Sequence, residues 1–308
     1  FSFALAAMHQ SQDNESAGAR YTQLQMNAQA AISAMELYEA FGETEYLSRG
    51  VSFARILMAC QASAVDPSFS IPLRGYFYEN ETHERIQTYY HRSYEHAPIK
   101  AFAMLYRLTP EHEDAARWKN SLELYREYVA LTSRTVPYGL LPNGIYELDN
   151  TDFSTITHEG DRAAGAPSLE EYNAQVRNGI RLNDRFYLRV FPVAYQFRGF
   201  HATLMGRALA AMELARALND REIKQVAVRQ MEWILGCNPF AVSSMYGEGH
   251  DYHPLYAPMS PQLVGAVPVG FETFENEDQP FYPMQNNATY KEVWVHTTCR
   301  MMWLIAML

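Results

Sequence analysis

Cysteine is scarce in this chain. Cys60, Cys237 and Cys299 are the whole complement, far apart and without a CxxC pair. That excludes a cysteine-built metal centre or a dense disulfide framework and leaves each thiol as a small apolar group. Basic charge is short too, with 25 Lys and Arg against 35 Asp and Glu, a formal net charge of −10. An acidic surface repels phosphate backbones, so no nucleic-acid partner is expected. No window comes near the ~18 uninterrupted apolar residues that a membrane span requires, so none is expected. Gly/Ser-rich linkers and low-complexity tracts are missing. So are GxGxxG, GxxxxGK[ST], HExxH and GxSxG, which leaves nucleotide-binding, zinc-protease and α/β-hydrolase readings without support.

What is present is apolar mass. Hydrophobic residues make up 48% and charged residues 19% of 308, enough for a large buried core. The length suits one large domain or two ordinary ones, and the chain is read as a single domain over 1–308. Helices arrive in pairs. The first pair covers 21–41 and 44–62 about Gly42, with Leu24, Ala28, Ala31, Ile32 and Met35 on one helical stripe. The second covers 82–108 and 111–132, punctuated by Thr109-Pro110. The third covers 186–217 and 220–236, where Asp220 is placed to cap free amides. A last helix starts near Thr289.

Between the pairs lie Pro- and Gly-punctuated stretches at 63–81, 133–185 and 237–288, long enough to imply function. None shows sustained strand alternation, although 264–269 (VGAVPV) suits a small hairpin. Unequal hairpins with large loops favour stacking in a closed ring over a linear solenoid. The expected class is therefore all-α, an α/α toroid. At the start, Phe1, Ala4, Leu5 and Met8 share one helix face in a run that also resembles a signal-peptide core without a basic leader. The final MMWLIAML has no stop signal. The chain is read as a piece of something longer, incomplete on its N-terminal side.

Aromatic residues reach 13%, with 21 Tyr and 16 Phe, and many sit on the loops: Tyr76, Phe77, Tyr78, Tyr138, Tyr146, Tyr246, Tyr252, Tyr256, Phe271, Phe281 and Tyr282. Amphipathic rings on loops suit sugars, whose C–H faces stack while hydroxyls reach polar neighbours; the competing role is to pin long loops onto helices.

The most informative stretch is 231–308. Ile234-Leu235-Gly236 with Asn238-Pro239, Ser243 or Ser244, and Gly247-x-Gly249 is followed by Gly265-x-x-Pro268, Asp278 and Lys291-Glu292-Val293-Trp294-Val295. This ordered series resembles the C-terminal third of the catalytic domain of glycoside hydrolase family 9, mainly β-glucan hydrolases. The resemblance implies an (α/α)6 toroid that hydrolyses glycosidic bonds with inversion, and it carries the family's general acid onto Glu292. Leaving-group protonation needs a carboxyl kept protonated near neutral pH, which a low-dielectric surrounding favours, and Tyr290, Val293 and Trp294 are neighbours able to supply one. The competing role for Glu292 is a solvated acid that complements a helix N-terminus.

Inversion also needs a base some 6.5–9.5 Å from the acid. The family's DAGD-type base motif is not in this sequence and is expected upstream; Asp149-Asn150-Thr151-Asp152 has D-x-x-D spacing in the wrong place, and Asp278, Glu159 and Asp161 are weaker substitutes still. The family's sugar-contacting His-His-Arg run is replaced by His250-Asp251-Tyr252-His253-Pro254-Leu255-Tyr256, without Arg. That puts plain cellulose in doubt and makes His253, His250, Tyr252 and Tyr256 the substrate-side candidates. His96, Arg198 and Asp278 join them, the first two at interruptions between helices. No metal or other cofactor is expected; a structural calcium on Asp149, Asp152, Glu159 and Asp161 matches no EF-hand spacing. Two rivals stand beside the hydrolase: a non-catalytic toroid that binds glycans or proteins, and another toroid carbohydrate enzyme, such as a lyase or uronide hydrolase. The expected partner is a carbohydrate and, by resemblance, the expected compartment is secreted or periplasmic.

Overall fold

In the computed structural model, the described residues are 21–89, 94–150, 168–193, 199–256, 262–273, 277–282 and 288–308. The helical pairs form where turn chemistry allows them. Helix α1 (Gln23–Phe41) opens on a capping box between Thr22 and Gln25 and closes on Gly42 in the left-handed conformation, φ 71°. Helix α2 (Thr44–Ala59) returns beside it. Helices α3 (His96–Leu108) and α4 (Ala115–Thr135) make the second pair. A short antiparallel sheet follows, built from β1 (Gly144–Glu147), β2 (Ile180–Arg181) and β3 (Phe186–Arg189), with β3 central. Helix α5 (Leu169–Arg177) lies between β1 and β2 in sequence. The third pair is α6 (His201–Leu218) and α7 (Arg221–Ile234), the latter capped by Asp220 at the Glu222 and Ile223 amides. After the two-residue strands β4 (Glu272–Thr273) and β5 (Pro280–Phe281), a single turn α8 (Ala288–Lys291) precedes α9 (Val295–Ala306).

Helix α1 packs on α3, α3 on α6 and α6 on α9, while α2, α4 and α7 each back their own hairpin partner. Helix α6 is central, and its sequence says why. His201 to Met212 is buried without interruption, rich in Ala with Gly206, so neighbours approach closely on every side. One apolar cluster runs from Leu24 to Met307 and includes the fully buried Trp118, Trp233, Phe102 and Leu204. Each such side chain contributes about 1.5–3 kcal/mol over its exposed state.

Three expectations from the sequence are corrected by the structure. Residues 82–89 are not part of α3: Tyr78 bridges Ile86 and the Gln87 amide donates to the Phe77 carbonyl, so 86–87 lie along 77–78. The third pair starts at His201, because 186–189 is the central strand. The stretch 264–269 forms no hairpin: Gly265 and Ala266 bond to Tyr246, while Val269 bonds to Glu292. The Phe1–Met8 helix face lies outside the described residues.

Candidate active site

The site is assembled around the start of α9. Backbone helicity breaks after Lys291, and Trp294 takes an extended conformation (φ −113°, ψ 139°) before α9 begins. In the break, Glu292 and Val293 run as an edge along 268–270. Pro268 bridges Val293, the Val269 amide donates to the Glu292 carbonyl (2.9 Å) and the Gly270 amide to the Tyr290 carbonyl (2.8 Å). Thr297 Oγ1 donates to the Val267 carbonyl at 2.6 Å, which anchors the same strap to α9 itself. The Glu292 carboxyl, half-buried, receives the Trp294 indole N–H on Oε2 at 2.6 Å.

The substrate-side candidates divide. Tyr256 comes to the Glu292 edge through its amide, which donates to the Lys291 carbonyl at 3.1 Å, while the His253 ring meets Tyr282 edge-on at 4.9 Å. Tyr282 in turn packs on Phe271 at 4.8 Å. Burial first, and then the Lys291 ammonium, push the His253 imidazole below its ordinary range, with Asp251 pulling the other way. Lys291 is buried, which lowers its own pKa. Tyr252 is exposed and meets Tyr246 edge-on at 5.3 Å; Tyr246 is tied to Gly265 and Ala266 on the far end of the strap. His250 is exposed between the left-handed Gly249 and Asp251.

His96 and Asp278 are placed otherwise. His96 is buried edge-on against Trp303 (5.2 Å), and burial drives its pKa to about 3. It serves packing between α3 and α9. Asp278 accepts the Val190 and Phe191 amides at 3.0 and 2.9 Å, with Arg189 at 3.6 Å. Burial raises its pKa, opposed by Arg189 and those two amides. Each of its carboxylate oxygens accepts one amide just past β3. Arg198 lies outside the described residues, as do Asp152, Glu159 and Asp161. Asp149 is held by Asn173, and among the described residues no cluster of three His, Cys, Asp or Glu could hold a metal ion.

The motif residues acquire local reasons. Asn238 closes the turn after α7: its Nδ2 donates to the Trp233 and Val242 carbonyls, and its Oδ1 accepts the Phe240 amide. Gly236 turns the chain there at φ 116°. Two groups escape a reading of the sequence. His201 is fully buried beneath the strap, and a lone histidine on an apolar helix gives no signal of it. Glu95 has its carboxyl buried beside a cavity of ≈ 20 Å³, room for about one water, walled by Tyr89, Tyr125, Tyr128 and Asn143.

No family model matches the sequence, and no curated protein does. Solved structures do match in fold. The cellulase Cel9M of C. cellulolyticum is 14% identical, with a TM-score of 0.50, over 96% of this chain and 51% of that one. The same cellulase in complex with cellobiose is matched at 14% identity and a TM-score of 0.51, over 96% of this chain and 52% of that one. The chain therefore spans about half the length of the cellulase whose fold it shares. It has a mostly helical fold like that of family 9 catalytic domains.

Proposed function

We propose that this chain carries part of the catalytic domain of an inverting glycoside hydrolase acting on a β-linked glycan, with Glu292 as general acid. The observation that carries the reading is the Glu292 carboxyl, held at 2.6 Å by the Trp294 indole at the mouth of α9, with the Tyr256 amide bonded to the neighbouring Lys291 carbonyl. Support comes also from the neighbour order α1, α3, α6, α9, each of the first three backed by a hairpin partner, as an α/α toroid requires.

In this mechanism Glu292 hands its proton to the departing glycosidic oxygen while water attacks the anomeric carbon from the opposite face. The Trp294 indole holds one oxygen of that carboxyl and so orients the acid. The rings of Tyr252 and Tyr256 offer stacking faces, and His253, kept below its ordinary pKa, serves as a neutral hydrogen-bond partner. The activating base is assigned to no residue of this chain. A secreted or periplasmic setting follows from the same reading, as does a carbohydrate partner, with no cofactor in any step. Screening the full-length protein against β-linked oligosaccharides, with Glu292→Gln as control, tests it. The variant is expected to lose at least about a hundredfold in turnover while keeping its fold, the scale on which a positioned proton donor acts; unchanged turnover sinks the assignment.

A further inference from the structure

His201 is the first residue of α6 and has no exposed surface. Both ring nitrogens are used on one strap. Nδ1 lies 3.1 Å from the Pro268 carbonyl, and Nε2 lies 3.4 Å from the Phe271 amide. For both bonds to exist the ring is neutral, donating from Nδ1 and accepting at Nε2. Burial lowers the His201 pKa to about 3, so this state holds across the physiological range. The backbone adds two more ties, His201 N–H to the Val269 carbonyl (3.0 Å) and Phe200 N–H to the Phe271 carbonyl (2.8 Å).

The fit around the ring leaves no slack. A Cβ on Gly270 would sit 2.0 Å from His201 Nδ1, and one on Gly199 would sit 2.3 Å from the Gly270 carbonyl oxygen. The opposite edge of the strap meets the candidate acid, through Val269 to the Glu292 carbonyl, Gly270 to the Tyr290 carbonyl, and the bridge between Pro268 and Val293. The strap is thus a single layer between an imidazole and the backbone of Glu292.

We propose that His201 is a positioning residue: through strap 268–271 its imidazole sets the backbone of Glu292 and so the aim of the acid, without touching substrate. This rests on the catalytic reading of Glu292. A purely structural histidine would anchor the start of α6 and nothing more. The strap has a second, independent anchor, Thr297 on Val267. Loss of the imidazole bonds therefore loosens 268–271 without releasing the whole segment, and the variants are expected to fold.

The test compares His201→Leu, which has neither bond, with His201→Asn and His201→Gln, which keep an Nδ1-like donor and an Nε2-like acceptor respectively. Two readouts are taken: amide hydrogen exchange at Val269 and Gly270, and kcat and KM on whichever β-linked oligosaccharide the full-length protein cleaves. His201→Leu is expected to speed exchange at both amides at least about tenfold while the interiors of α6 and α7 stay protected. Its kcat is expected to fall by about tenfold to a hundredfold with KM within threefold, the scale of a roughly 1 Å misplacement. The amide-bearing variants are expected to recover part of both. Unchanged exchange at Val269 and Gly270 overturns the proposal, as does faster exchange with unchanged kcat. If His201→Leu does not fold, the same readouts on His201→Asn and His201→Gln decide: wild-type exchange and kcat in both overturn it. Should Glu292→Gln keep full turnover, the catalytic reading fails by itself, while the exchange result still reports on the strap.

Discussion

The Trp294 indole N–H points back two residues and donates to Oε2 of Glu292 at 2.6 Å. That bond exists because the backbone is extended between a helical turn and α9, which places side chains at i and i+2 on one side of the chain. In a continuous helix the two would point apart. The helix break therefore sets how Trp294 meets Glu292. Replacing the indole with Trp294→Phe keeps an aromatic body and removes the donor. Turnover on the β-linked substrate is expected to fall about tenfold with little change in KM, since the carboxyl loses its fixed aim. Stability is expected to drop by about 1 kcal/mol in a urea titration. Full turnover in the variant would mean that the indole is only packing.

Glu95 gives a pH-dependent stability. Burial lifts its pKa to about 8, against the pull of Arg207 and Arg300. The folded pKa lies above the unfolded one, so the contribution is fully present below about pH 4.5 and is lost as pH rises to about 8. Each tenfold gain in proton affinity on folding corresponds to ~1.36 kcal/mol, so the loss is on the order of a few kcal/mol. Glu95→Gln cannot ionise. Its Tm is expected to match the parent near pH 5 and to exceed it near pH 8.5, read by thermal melts in the two buffers. An equal Tm difference at both pH values would place the carboxyl in contact with water.

The acid side behaves oppositely. His96 and His201 both have pKa values lowered to about 3 by burial. Their folded values lie below the unfolded ~6.5, so each contributes stability above that pH and loses it as pH falls toward 3. Removing one titration with His96→Gln is expected to flatten the fall in unfolding free energy between pH 6.5 and 4. A slope identical to the parent's would show that His96 protonates freely in the folded state.

Much of the helical frame is legible because local chemistry decides it. Gly42 and the Asn219-Asp220 turn mark ends that hold in three dimensions. The second pair reads as helix from residue 82, whereas pairing of 86–87 with 77–78, which no local pattern announces, takes 82–89 out of it. Phe186–Arg189 is a short apolar run that reads either way; its partner β1 lies some forty residues upstream and carries no local trace. At the site, Glu292, His253 and Tyr256 follow from a motif, and the Tyr256 amide is bonded to the Lys291 carbonyl beside Glu292. Asp278 stands out by spacing, and spacing does not reveal that the Val190 and Phe191 amides, just past β3, bind its carboxylate. His201 stays hidden for the same reason: its partners lie about seventy residues downstream.

Two glycines of one loop separate contact from backbone strain. Gly265 and Gly270 have similar left-handed backbones, φ +84° and +96°, so either glycine-to-alanine change carries a conformational penalty of about 1–2 kcal/mol. Around Gly265 nothing lies within 4 Å of an added Cβ; at Gly270 that atom would fall 2.0 Å from the His201 ring. Gly265→Ala is therefore expected to cost only the backbone penalty and to leave turnover near the parent's. Gly270→Ala must push the strap off the imidazole, and the strap carries the Glu292 carbonyl bond with it. It is expected to lose at least about 2 kcal/mol more stability than Gly265→Ala, as an overpacked core site does, and to lose turnover by more than the drop in folded fraction explains. Melts and kinetics on the two variants side by side give the answer. Equal losses would mean that the strap slides freely over His201 and that nothing passes from α6 to the acid.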